Sequence, residues 1–336
     1  MAENKINKQK VVDTCQPVQK KLSVEEEFLK IKNEKYDYKN LHLKFALEKV
    51  NYNFVKKLIL SMMGGIFAGL GYIAYNLLNG GAYDQFGVFE KNFGHDGFFY
   101  GALLFPMGIM MCIFLGGNLF TSNVLVIMGV YAKKIKFRIF AHDLFVTLIG
   151  NILGGILISL LAFGSSIYWT FDQANGFQIN DIGAGVIYLA DKKISTEWWT
   201  NILSGILCNI IVAGSIYAYV KVNNRALGSM LVYLFIVVFA ICGFQHVVAN
   251  TFVFTQASLI HIIAPPDIQS IFGRPEMGES LYINMVPTLI GNVIGGVFIS
   301  SIYMYLESDK IKKGSKMDVN IIVPNEDGAP EMDHTL

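Results

Sequence analysis

The chain has 336 residues, 53% of them hydrophobic and only 16% charged, with a mean hydropathy of +0.44. Soluble domains carry roughly a quarter charged residues, so the composition excludes a soluble globular protein and indicates an integral membrane protein. The net charge of +1 gives no bulk attraction for nucleic acid, and the four cysteines, Cys15, Cys112, Cys208 and Cys242, show no metal-ligand spacing.

Residues 1–50 are polar, rich in Lys and Glu, and lack the apolar core of a signal peptide. They read as a cytoplasmic N-terminal segment, followed by a membrane domain over 51–307 and a flexible cytoplasmic tail over 308–336. The first span then serves as the signal anchor. Six charge-free windows follow in order: 58–79, 97–132, 144–171, 198–220, 226–266 and 280–306. About 20 residues cross a bilayer. The second and fifth windows are too long for one crossing and too short for two crossings joined by a polar loop. Each predicts a crossing broken near its middle, with a non-helical loop buried in protein. No Asp or Glu falls inside the six windows.

The halves repeat. Thr147-Leu148-Ile149-Gly150-Asn151-Ile152-Leu153-Gly154-Gly155 returns as Thr288-Leu289-Ile290-Gly291-Asn292-Val293-Ile294-Gly295-Gly296, an offset of 141. Chance supplies Leu and Ile readily, but not the Thr, Gly-Asn and Gly-Gly in register. Three spans per half is an odd number, so the second half enters with opposite polarity. The expected fold is an all-α membrane protein of six transmembrane helices in two inverted three-helix repeats, with helices two and five broken. Interrupted spans at matching places point to a transport site.

Lys133, Lys134, Lys136 and Arg138 follow span two, Lys221 and Arg225 follow span four, and Lys310, Lys312, Lys313 and Lys316 follow span six. The opposite loops carry Asp84, Glu90, Asp172, Asp181, Asp191, Asp267, Glu276 and Glu279. Positive charge favours the cytoplasm, so both termini are expected there, in the plasma membrane.

His246 is the only histidine near the centre of an overlong window, within Gly243-Phe244-Gln245-His246, and Asn250 follows it. An ionisable residue at membrane depth is a functional candidate, and a histidine tying two helices together is the alternative. The matching break reads Gly116-Gly117-Asn118-Leu119-Phe120-Thr121.

The ordered set Phe105-Pro106-Met107-Gly108, Leu119-Phe120-Thr121, Gly150-Asn151, Gly243-Phe244-Gln245-His246 and Pro287-Thr288-Leu289 resembles the formate–nitrite transporter family from about Lys49 to Leu306. The resemblance implies an aquaporin-like protomer in a homopentamer, one pore per protomer, moving small monocarboxylates, nitrite or hydrosulfide. It implies that His246 is the central pore histidine, with Thr121 facing it. Phe105, Phe239 and Val212 would line the outer constriction, Ile109 and Leu119 the inner one, with Asn209 a polar group between them. Lys193, next to Lys192, matches the outer vestibule lysine and Lys49 the inner one. Gln245 and Asn118 stand where the family usually has acidic residues. The Asn- and Lys-rich tails resemble those of eukaryotic members, which tend to export lactate.

Burying a bare carboxylate in an apolar constriction is costly, and the group neutralises instead. The expected function is proton-coupled transport of formate, acetate or lactate, attracted by the lysines as an anion and passed as the neutral acid. Neither cofactor nor metal is implied, and the chain is not expected to be an enzyme. The alternatives are an aquaporin-like channel for small neutral solutes, which should show Asn-Pro-Ala boxes that this chain lacks, or a nitrite or hydrosulfide anion channel.

Overall fold

The computed structural model describes residues 38–79, 94–222, 224–264, 266, 269 and 277–314. Cys15, Asp84, Glu90, Asp267, Glu276, Lys316 and the two chain ends lie outside the described residues. Helix α1 (Tyr38–Val50) precedes the first long helix, α2 (Phe54–Asn79). The second crossing is made of α3 (Gly94–Leu104), α4 (Met107–Leu115) and α5 (Phe120–Tyr131). Then come α6 (Phe137–Gly164), the hairpin β1 (Trp169–Asp172) and β2 (Gly176–Ile179), and α7 (Asp181–Ile194). The second half has α8 (Trp198–Lys221), α9 (Arg225–Cys242), α10 (Val247–Ile263) and α11 (Val286–Gly314). Among the described residues six helices are long and apolar enough to cross a membrane.

Both overlong windows are broken as the length argument requires. Gly116 (φ 92°) ends α4 and Gly243 (φ 64°) ends α9, each in the left-handed region that a side chain resists. Leu119 and His246 then run extended and start the half-helices α5 and α10. The breaks repeat at an offset of 127 residues, whereas α6 and α11 repeat at 141, so the second half carries extra residues between its break and its last span.

Tight helix crossings follow from the repeated glycines. A Cβ on Gly154 would run into the Met62 carbonyl of α2, and one on Gly295 into the Ile206 carbonyl of α8. These contacts pack α2 on α6 and α8 on α11 at small-residue distance, which in lipid stands in for a hydrophobic drive. A π turn (Ser280–Met285) leads into α11, whose Pro287 has no N–H to give. The freed Ile283 and Tyr282 carbonyls accept instead from Asn201 Nδ2 (2.9 Å) and Trp198 Nε1 (3.1 Å).

Two details differ from the sequence reading. The third window predicted a span to Phe171, but α6 ends at Gly164 and Phe171 lies on β1, paired with Phe177. Gly176, in the left-handed region, lets these aromatic strands turn back. The spans are also not free of carboxylates. Asp143 lies on α6, fully buried, 2.5 Å from buried Lys57 of α2. A charge-free window discards such a residue, but its partner supplies the opposite charge within reach.

Candidate functional site

The two breaks meet at the centre of the fold, and the repeated Gly-Asn pairs hold them. Asn151 Nδ2 donates to the Asn118 carbonyl (2.8 Å) and its Oδ1 accepts from Phe120 N (2.8 Å). Asn292 Nδ2 donates to the Gln245 carbonyl (3.0 Å) and its Oδ1 accepts from Val247 N (3.0 Å). Backbone groups stripped of helical partners at each break are thus satisfied by one side chain.

His246 occupies the slot that Leu119 holds in the first half. Its Nδ1 accepts from Ala249 N at 3.2 Å, capping α10. A backbone N–H only donates, so Nδ1 is unprotonated and the ring proton sits on Nε2. Nε2 lies 3.0 Å from Thr121 Oγ1 and donates to it. The imidazole is therefore neutral, and its proton faces the other half's broken helix. Asn209 Nδ2 donates to the Thr121 carbonyl (3.2 Å) and the Asn292 carbonyl (2.6 Å). Asn209 tethers the loops and is not on the walls of the cavities below.

Three cavities lie in series. The first, of about 370 Å³, is lined by Lys192, Lys193, Thr196, Thr200 and Ser204 and floored by Phe105, Phe239 and Gln245. The third, of about 210 Å³, is lined by Glu48, Lys49, Asn118, Leu119, Ile109 and Val212. Between them a chamber of about 10 Å³ is walled by Phe105, Phe239, Ile109, Val212, Ala68 and His246. The Phe105 and Phe239 rings, 5.7 Å apart, close its Lys193 side, with His246 6.0 Å from Phe239. Val212 lines both the chamber and the Lys49 cavity, so it stands with Ile109 as well as with the phenylalanine pair.

Each lysine is tied to the residue before its loop. Lys193 Nζ donates to Gln245 Oε1 at 2.9 Å, and Lys49 Nζ donates to Asn118 Oδ1. Burial, reinforced by Lys192, pushes the Lys193 ammonium down to about 8. Burial likewise pushes Lys49 to about 8, against the opposing charge of Asp143. Lys192 is exposed on the vestibule wall and Lys193 is buried with the loop, which separates the two neighbours.

Behind the loops lie matched polar clusters. Asn123 Nδ2 donates to Asp143 Oδ2 (3.1 Å) and to Thr147 Oγ1 (3.1 Å). Asn250 Nδ2 donates to Asn284 Oδ1 (2.6 Å) and to Gln245 Oε1 (2.9 Å), and Asn284 Nδ2 donates to the Lys193 carbonyl (3.1 Å). Asp143 and Asn284 are the same position of the repeat, 141 residues apart. Sequence reasoning missed Lys57, Asp143 and Glu48. The offset that matched the motifs also pairs Asp143 with Asn284 and was the signal available for Asp143; it gives none for Lys57 or Glu48.

The chain matches the formate/nitrite transporter family profile over residues 40–306. It is 26% identical over 250 residues to the formate channel FocA of Escherichia coli (strain K12), covering 72% of this chain and 82% of FocA. It is 24% identical over 264 residues to the formate-nitrite transporter of Plasmodium falciparum (isolate 3D7), covering 78% and 81% of the two chains. Among solved structures it resembles a pentameric formate channel with formate bound (TM-score 0.64, 22% identity, 75% of this chain and 96% of that one). An FNT family ion channel is similar (TM-score 0.65, 22% identity, 80% and 98%). The inverted repeats, the two braced breaks and a family match spanning the whole membrane part agree: this integral membrane protein has the aquaporin-like fold and belongs to the formate/nitrite transporter family.

Proposed function

We propose that the chain carries small monocarboxylates, formate first among them, across the membrane together with a proton. The observation that carries the reading is the neutral His246–Thr121 pair, at 3.0 Å, beside an apolar chamber with a lysine-lined cavity on either side. The lysines concentrate the anion at each mouth. The phenylalanine pair and the Ile109–Val212–Leu119 side exclude a hydrated carboxylate, because desolvation makes the charged form costly. The anion therefore enters the chamber as its neutral acid. There His246, the polar side chain on the chamber wall, offers the hydrogen-bonding partner that fixes its orientation, while Thr121, off that wall, holds the imidazole from behind. Acetate and lactate follow the same chemistry, limited by chamber width.

In this reading each protomer holds a complete pathway within a homopentamer, as in the named pentameric channel. Both termini and the Lys49 mouth face the cytoplasm of a cell bounded by the plasma membrane, following the basic loops. The test is uptake of radiolabelled formate, acetate and lactate by a transporter-deficient cell across an external pH series. Uptake that falls as external pH rises, with accumulation lost on adding a protonophore, supports the coupling. Uptake that is flat with pH and abolished by removing sodium removes it.

A further inference from the structure

The two mouths share one frame but not one charge. The Lys193 cavity is lined by Lys192 and Lys193, and no described Asp or Glu lines it. Asp191 and Glu197, the acids nearest in sequence, are off its wall. The Lys49 cavity has Glu48 on its wall beside Lys49. Glu48 is exposed and accepts from Tyr52 Oη at 3.2 Å, so its carboxylate is held at the entrance. Behind Lys49 the pair Lys57–Asp143 replaces what is Asn284 in the other half. Summed over the described side chains, the Lys193 mouth carries two positive charges. At the Lys49 mouth Lys49 and Lys57 are offset by Glu48 and Asp143.

We propose that the mouths capture carboxylate anions unequally: the Lys193 mouth is the tight entrance, and Glu48 makes the Lys49 mouth the loose one. The inference rests on the carboxylate-pathway reading for its transport arm, while its binding arm stands alone. One carboxylate on the wall of the same wet cavity as the anion, at intermediate effective dielectric and partly screened by salt, changes affinity about three- to tenfold. Nothing in the cycle supplies energy beyond the gradients. With equal pH on both sides, detailed balance makes the ratio of maximal rate to KM the same in both directions. A lower KM from the Lys193 side must therefore come with a proportionally lower maximal rate from that side. Dilute anion is captured best at the Lys193 mouth, and entry at the Lys49 mouth stays unsaturated when the anion is abundant.

The test has two arms. Purified protein is titrated with sodium formate against sodium chloride at constant ionic strength, with thermal stabilisation reporting binding. Wild type is stabilised by formate, Lys193→Ala and Gln245→Glu lose most of that stabilisation, and Lys49→Ala keeps it. If Lys193→Ala does not assemble, Gln245→Glu, which pairs the ammonium in place, decides alone. In cells with uniform insertion, formate influx and efflux KM are measured at equal pH. The two values differ about three- to tenfold. Gln245→Glu raises the lower KM and Glu48→Gln lowers the higher one, each on its own side. Equal KM values, no formate stabilisation of wild type, or Lys49→Ala losing as much as Lys193→Ala overturns the proposal. The expected binding order with no carboxylate crossing the membrane would leave the asymmetric capture standing and remove the transport reading.

Discussion

Asn151 and Asn292 make the same pair of hydrogen bonds to opposite breaks, each amide closing over a two-residue gap between a carbonyl and an N–H. One side chain per half thus substitutes for a missing helical turn. Asn151→Ala or Asn292→Ala strands a buried carbonyl and a buried N–H, at about 2–5 kcal/mol per variant. Both variants should give lower melting temperatures and less assembled protein. An unchanged melting temperature in both contradicts the bracing role.

His246 is predicted to separate orientation from proton relay. His246→Phe should leave an assembled protein with little transport, since an apolar ring replaces the polar group facing Thr121. His246→Asn should retain more, because an amide still hydrogen-bonds the neutral acid. Transport rates set beside assembled yield decide the matter. Equal loss in both variants favours obligatory relay, and normal transport by a well-assembled His246→Phe protein removes the histidine from the pathway.

Lys193 gives a pH signature. Its ammonium is present below about 8 and lost above it, because burial and then Lys192 depress it from the usual lysine value. Anion capture at this mouth should weaken as pH rises through about 8, seen as a rising KM. Lys193→Arg stays charged, so its KM should not rise there. Lys193→Ala should show a high KM at every pH, most clearly at low ionic strength. A Lys193→Arg profile identical to wild type would assign the pH dependence to another group.

Lys57 and Asp143 should behave as a unit. Removing one partner leaves an uncompensated buried charge, so Lys57→Met or Asp143→Leu alone costs about 3–5 kcal/mol. Changing both together should recover part of that loss, since no unpaired charge is left buried and Asn123 Nδ2, which loses Asp143, keeps Thr147 Oγ1 as a partner. Chemical denaturation of the purified protein reads the cycle. Additive losses would show that the pair does not interact.

Gly295 has no room for a side chain, and Gly164 has open space around it. Gly295→Leu should force α8 and α11 apart and abolish assembly. Gly164→Leu should assemble normally, which size-exclusion chromatography in detergent will show. Loss of assembly in both would point to a general effect of added bulk.

The fold was legible where the sequence contained a contradiction in length. Windows of 97–132 and 226–266 cannot be single helices in a bilayer, and the structure breaks both at left-handed glycines. The Thr–Gly-Asn–Gly-Gly repeat located the braces, because its identical polar residues had no reason to recur in lipid-facing helix. Asp143 was illegible to a rule that scores charge singly. Its charge is balanced by Lys57, 86 positions away in sequence, and only packing brings them to 2.5 Å. Asn209 came from the family resemblance as a polar group between the constrictions, and the structure adds that its Nδ2 donates to the Thr121 and Asn292 carbonyls, a tether that its sequence position did not reveal. The start of the hairpin hid in the end of the third window because Trp169, Thr170 and Phe171 carry no charge, as a span would not.

The chamber of about 10 Å³ has room for at most one water molecule, and its wall is apolar apart from His246. A continuous hydrogen-bonded file of water cannot form through it, so protons have no wire on which to hop alone. An apolar wall is equally closed to bare sodium, potassium and chloride, which would have to shed their hydration there. As it stands the chamber is closed, and a carboxylic acid, larger than one water molecule, passes only when the chamber walls give way. Under the proposed carboxylate–proton reading, the molecule that crosses is one that brings its own hydrogen-bond partner and sheds its charge at the mouth.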